Sequence, residues 1–242
     1  MFHVEHNLHI LSEKTGISDP DKLSVLHSYA EMIFNENEKF NLTGHKTFNE
    51  IIDNLIACSL EPFADVNVPR GTFFADLGTG AGIPGIPLAI KYPEISGILF
   101  DSNSKKTGFI ERAAKMLRIN NIKTANLRIE DAGKLPEFRE MFDLVVTRAM
   151  SDLYIVAELG SPLLKTGGCL YYYTNIKKEN IGSNIYRHLD LLGIEVKDFS
   201  EGTGFFKGAC TEGLLLIKIK RTGERFPRRM AVIKRMAERD GM

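Results

Sequence analysis

The residues best placed to do chemistry lie in one dense run, Asp76-Leu-Gly78-Thr-Gly80-Ala-Gly82-Ile-Pro84-Gly85-Ile-Pro87. Alternating glycines let a backbone turn sharply and approach a ligand closely. Acidic residues follow at intervals: Asp101, then Glu130 and Asp131. Carboxylates accept hydrogen bonds from hydroxyl and amino groups and attract cations, so the set suits a ligand with positive charge and a sugar diol. An anionic ligand is a poor match. Anion binding at a helix start uses free backbone N–H groups. Pro84 and Pro87 each remove one, and Asp76 adds a like charge.

The run satisfies two known spacings. Gly80-x-Gly82-x-x-Gly85 is the dinucleotide fingerprint. Asp76-x-Gly78-x-Gly80-x-Gly82 resembles the acidic glycine loop of S-adenosylmethionine (AdoMet) methyltransferases. The prolines and the acid favour the second, because AdoMet carries a sulfonium and an ammonium. Asp101 would accept from a ribose diol, which fits AdoMet or NAD alike. Glu130 and Asp131 add acceptors where an adenine amino group could be read. AdoMet is the expected cofactor.

Such a loop has meaning only where a strand feeds a helix, and the flanking pattern supplies that context. Short apolar runs at 72–75, 98–100, 125–129, 142–146 and 169–173 read as strands. Helical spacing separates them at 105–117, 153–164 and 185–192. Glu195–Phe199 and Leu214–Ile219 read as an antiparallel pair, since no helix divides them. The expected class is α/β: a Rossmann-like AdoMet-dependent methyltransferase fold, its doubly wound sheet mostly parallel and closed by that C-terminal pair. Its ligand crevice lies at the strands' carboxyl ends. Residues 1–65 read as an N-terminal helical extension. Asp19-Pro20 starts one helix, and Thr47-Phe-Asn-Glu50 forms a capping box ahead of Ile51, Ile52, Leu55 and Ile56. Residues 66–220 are the expected AdoMet domain and 221–242 a basic C-terminal tail.

Composition is that of a folded globular chain: 242 residues, 43% hydrophobic, 26% charged. No apolar run approaches the ~18 residues of a membrane span, and the first residues carry no secretory pattern. Cys58, Cys169 and Cys210 are an odd, sparse set without paired spacing, so no disulfide framework is expected. A cytoplasmic protein without membrane association or an obligate protein partner is expected. His3, His6 and His9 drift off one helix face, so no metal site is expected. The net charge is zero, yet residues 218–242 hold nine Lys and Arg against three acids, a local +6 balanced by −6 elsewhere. Phe226 interrupts those charges as a candidate stacking ring. Arg225, Arg228 and Arg229 are the candidate contacts for an anionic partner such as an RNA phosphate chain.

These segments, in this order, resemble one family: the glucose-inhibited division protein B family, the small-subunit ribosomal RNA methyltransferase G group. Phe40-Asn-Leu-Thr43 is similar to its Tyr-Asn-Leu-Thr segment, and Asp76–Pro87 to its glycine loop. Phe100-Asp-Ser102 with Lys105-Lys106, Thr147-Arg148-Ala149, Leu164-Lys-Thr-Gly-Gly168 and Phe226-Pro-Arg-Arg229 are similar to further family segments. The resemblance implies AdoMet-dependent methylation of guanine N7 in 16S rRNA, on the small ribosomal subunit. It places Gly78, Ile83, Ile129, Glu130 and Arg148 at AdoMet contacts, with Asp101 and Ser102 at the ribose; Asp76 and Gly80 complete the cofactor set. Two departures stand out. Leu55-Ile-Ala-Cys58 lacks the family's His and Asp, and Thr174-Asn175 replace its Lys-Gly.

No residue is singled out as catalytic. Guanine N7 attacks with a lone pair and loses no proton, so alignment of reactants suffices. The chain has no Asn/Asp-Pro-Pro-aromatic motif for an exocyclic amine and no Pro-Cys nucleophile for pyrimidine C5. The alternatives are an AdoMet-binding RNA-binding protein with altered or lost catalysis, which the departures permit, and a methyltransferase on a non-RNA substrate, which the basic tail disfavours.

Overall fold

The computed structural model describes residues 2–198 and 213–240. Seven strands form one sheet in the order β3-β2-β1-β4-β5-β7-β6. The parallel strands are β1 (Phe73–Leu77), β2 (Ser96–Phe100), β3 (Ile122–Ala125), β4 (Phe142–Arg148) and β5 (Leu164–Tyr173). β6 (Ile194–Lys197) and β7 (Leu214–Lys218) run antiparallel, with β7 joining β5. β1 and β4 carry almost unbroken apolar runs, as strands covered on both faces require. Strand order reverses between β1 and β4. That reversal opens a crevice at their carboxyl ends, where the glycine loop sits.

Helices cover both faces. α1 (Phe2–Thr15), α2 (Pro20–Asn37), α3 (Phe48–Glu50) and α4 (Cys58–Leu60) are N-terminal. α5 (Gly85–Lys91), α6 (Ser104–Met116), α7 (Ile129–Ala132), α8 (Leu153–Gly160), α9 (Ser183–Leu192) and α10 (Met230–Asp240) follow. Asp19 caps α2 through Asp21 N at 2.9 Å. Thr47 and Glu50 form the capping box in both directions, at 3.2 and 3.0 Å.

Three details differ from the sequence pattern, and a fourth expectation cannot be compared. Ile51–Ala57 is π-helical between α3 and α4. β3 stops at Ala125, opposite Phe100, and Ile129 begins a short helix; Asn126 Nδ2 donates to Asp101 O at 3.0 Å and ties off that strand end. β5 starts at Leu164, so Lys165-Thr-Gly-Gly168 is strand, with a register shift against β4 between Phe142 and Leu144. The β6 expectation reached Phe199, which lies outside the described residues, as does Cys210.

Neither end of the chain stands apart from the sheet. Leu11, Leu26 and Ile33 share one buried cluster with Phe74, Ile86 and Leu99. On the opposite face, Phe226, Ile233 and Ala237 share a cluster with Ala75, Phe100 and Val156. Phe226 is 3% exposed, which removes it as a stacking platform for RNA. Arg139 holds the segment ahead of α10: its guanidinium donates to the carbonyls of Phe226 at 2.8 Å and Thr222 at 2.9 Å. Arg228 is turned inward. Its backbone N and Nε each donate to Glu158 Oε1 at 2.8 Å, and the Glu158 side chain is 0% exposed. That ion pair pushes the Arg228 pKa further up.

Arg228→Ala would strand the Glu158 charge in the core, and removing one partner of such a pair costs about 3 kcal/mol. Guanidinium unfolding should show that loss. Arg225→Ala, on an exposed side chain, should stay within about 0.5 kcal/mol of wild type.

Candidate functional site

The glycine loop is pinned from beneath by Asp76, the penultimate residue of β1, which is 0% exposed. Thr79 Oγ1 donates to Asp76 Oδ2 at 2.5 Å, and Gly85 N donates to the same oxygen at 2.9 Å. One carboxylate thus holds both ends of the turn. Gly85 has to be glycine: a Cβ there would lie 2.7 Å from the Leu99 side chain and 2.8 Å from Asp76 Oδ2. Burial pushes the Asp76 carboxyl up to about 7, against the Thr79 and Gly85 hydrogen bonds, which pull it down. Its Oδ1 has no hydrogen-bond partner. Asp76 is therefore a support under the loop, closed off from the crevice.

Asp101, at the end of β2, supports the loop from the side. Its Oδ2 accepts from Gly80 N at 3.0 Å and its Oδ1 from Asn103 N at 2.8 Å. Each oxygen keeps a lone pair, and the residue is half-buried, facing a cavity of about 290 Å³. Gly78, Asp101, Ser102, Ile129 and Glu130 all border this cavity. The remaining walls come from Leu127, Arg128, Met150, Ser151, Ile155, Leu159, Met230 and Lys234. Gly78 keeps the mouth open: its φ is +69°, and a Cβ would sit 3.1 Å from Met150 Cγ.

The other sequence-predicted residues do not border this cavity. Gly80 sits on the loop, held by Asp101, with φ +60°. Ile83 is 6% exposed and belongs to the core beneath the N-terminal helices. Arg148, at the end of β4, donates to Leu55 O at 2.8 Å and Asn54 O at 2.6 Å. These carbonyls belong to the π-helical turn, where regular α-helical pairing is broken. Tyr173 Oη donates to Ser59 O beside it. Leu55 is buried and Cys58 half-buried, with burial pushing the Cys58 thiol up. Thr174 and Asn175 border a different cavity, beside Leu153 and Ile181. Among the described residues, no cluster of His, Cys, Asp and Glu could hold a metal.

Two wall residues, Met230 and Lys234, come from the segment that the charge pattern marks as tail. Their signal was present: Met230, Ile233 and Ala237 repeat at helical spacing. The dense arginines on either side masked it.

The donor set fits a nucleoside with a cationic arm. It offers carboxylates for a diol and an amino group, hydroxyls at Ser102 and Ser151, and an apolar slot between Ile129 and Ile155. The family model for GidB, the rRNA small subunit methyltransferase G, matches residues 22–202. The chain belongs to this family. The ribosomal RNA small subunit methyltransferase G of Desulfitobacterium hafniense is 35% identical over 207 residues, covering 86% of this chain and 84% of that one. That of Carboxydothermus hydrogenoformans is 30% identical over 239 residues, covering 95% and 97%. No helix among the described residues is long and apolar enough to cross a membrane.

Because the folded Asp76 pKa, at about 7, lies above the ordinary aspartate value of 3.8, the folded state holds an extra proton between those values. Stability from this group is present at low pH and is lost as pH rises through that window. Asp76→Asn keeps an acceptor for Thr79 and Gly85 without the buried charge. Thermal melts at several pH values should show wild type falling relative to Asp76→Asn as pH rises from about 4 to about 7, and level above that. Parallel curves would contradict this.

Proposed function

We infer that this chain transfers the methyl group of AdoMet to N7 of a guanine in 16S rRNA, acting on the small ribosomal subunit. The observation that carries the reading is the cavity at the switch point, where Asp101, Ser102 and Glu130 meet around an apolar slot in a chain of this family. AdoMet supplies an electrophilic methyl on its sulfonium. Asp101 and Ser102 accept from the ribose hydroxyls, and Glu130 accepts from the adenine amino group. Ile129 packs against the ring. The backbone at Gly78 gives the methionine arm its passage. N7 loses no proton on methylation, so the protein's contribution is alignment and exclusion of water, an effect that can supply several kcal/mol.

Arg148 in this reading secures the N-terminal helices to the rim of the crevice through the Asn54 and Leu55 carbonyls. A second reading, AdoMet and RNA binding with weakened catalysis, draws on the departures at Leu55 and Cys58, which lie in that same rim segment. Thr174 and Asn175 border a separate cavity and lend it less support. Tritiated AdoMet with small subunits from a strain lacking this enzyme, followed by nucleoside mass spectrometry, tests the choice. The expected product is N7-methylguanosine. A methylated adenine or cytosine would refute the assignment, and binding without product would favour the second reading.

RNA phosphates meet the basic C-terminal face through Arg225 and Arg229, both exposed. Arg228 is already engaged by Glu158. Each phosphate contact releases condensed counterions, at about 0.7–0.9 per contact. Arg225→Ala with Arg229→Ala should lower the salt slope of RNA binding by about 1.5 units, for all sequences alike. An unchanged slope would move RNA recognition away from these two arginines.

A further inference from the structure

The crevice has a second wall that the glycine loop and its acids do not provide. Met230 and Lys234 lie one turn apart on α10, and both border the cavity shared with Asp101, Ile129 and Glu130. Ile155 and Leu159, also one turn apart, bring α8 to the same cavity. α10 is fixed in place. Ile233 is 0% and Ala237 6% exposed, and the segment before it is held by the Arg139 hydrogen bonds and the Arg228–Glu158 pair. Lys234 itself is exposed at the mouth and forms no ion pair among the described residues.

We propose that α10 closes the adenine end of the AdoMet crevice, with Met230 against the purine face and Lys234 donating to a ring nitrogen beside the amino group that Glu130 accepts. The proposal rests on the AdoMet reading above and adds two binding residues to it. A methionine thioether is flexible and polarisable and packs well on aromatic faces. The ammonium of Lys234 sits on a long stem, so it can reach the ring edge while its helix stays anchored.

The edge chemistry follows from donors and acceptors. Adenine presents an amino donor next to a ring-nitrogen acceptor. A carboxylate paired with an ammonium is the complement of that pattern. Hypoxanthine reverses it: its carbonyl oxygen would face Glu130 and its ring N–H would face Lys234. A site whose polar groups are left mismatched rejects such an analogue strongly. Lys234 and Glu130 together thus set the base selectivity of the cofactor site.

Calorimetry with S-adenosylhomocysteine and its hypoxanthine counterpart, S-inosylhomocysteine, tests this on the full chain. Wild type should bind the adenine compound at least about tenfold more tightly. Lys234→Ala should weaken S-adenosylhomocysteine about tenfold and narrow the gap between the two ligands, while Lys234→Arg retains most of both. Met230→Ala should weaken the two ligands alike. Ligand-free melting of Lys234→Ala should match wild type, since the side chain is exposed. Unchanged affinity and selectivity in Lys234→Ala would overturn the proposal. So would a loss confined to RNA binding, which would make Lys234 a phosphate contact. Wild type that binds neither compound would instead remove the AdoMet reading itself, and this proposal with it.

Discussion

A single buried carboxylate governs the geometry of this site. Asp76 Oδ2 accepts from Thr79 Oγ1 and from Gly85 N, so the turn that leaves β1 and the helix that receives it are held by one atom. The loop between them is rich in glycine and has few side chains of its own to pack. That clasp works with Asp101 at Gly80 N and with Tyr29, whose hydroxyl donates to Ala81 O, to fix the turn. The cost is a carboxyl held in the core at a pKa near 7, a desolvation penalty tolerated where it shapes a binding surface.

Asp101 extends the same logic outward. It supports Gly80 from the side and still faces the cavity. The two acids therefore divide the work. The buried one sets the loop, and the half-buried one is left with lone pairs for a ligand. Burial alone separates the roles.

The ends of the chain are bound into this arrangement from opposite faces of the sheet. At the N-terminal side, Arg148 and Tyr173 hold the carbonyls of the π-helical segment and its neighbour, Asn54, Leu55 and Ser59. At the C-terminal side, Arg139 and Arg228 spend their donors on Phe226, Thr222 and Glu158. Arginine suits both tasks because its planar fork satisfies several acceptors at once. A local charge of +6 in residues 218–242 thus mixes solvated cations with internal fasteners.

The sequence by itself determined the α/β class, the place of the glycine loop, both helix caps and the antiparallel closing pair. These are local properties, written in alternation, spacing and cap residues within a few positions of one another. It also marked Gly78, Asp101, Ser102, Ile129 and Glu130, which the fold gathers around one cavity. Only the tertiary structure decided which charged groups are buried. Asp76, Arg148 and Arg228 read as ligand contacts until Thr79, the Asn54 and Leu55 carbonyls, and Glu158 appear beside them. Those partners lie as many as 94 positions away. It also decided that α10 borders the crevice, because a basic amphipathic helix looks alike in sequence whether its apolar stripe meets solvent, RNA or α8. Local pattern specifies elements and their faces. Which face meets which is a long-range packing outcome, and in this chain it assigns the second wall of the site.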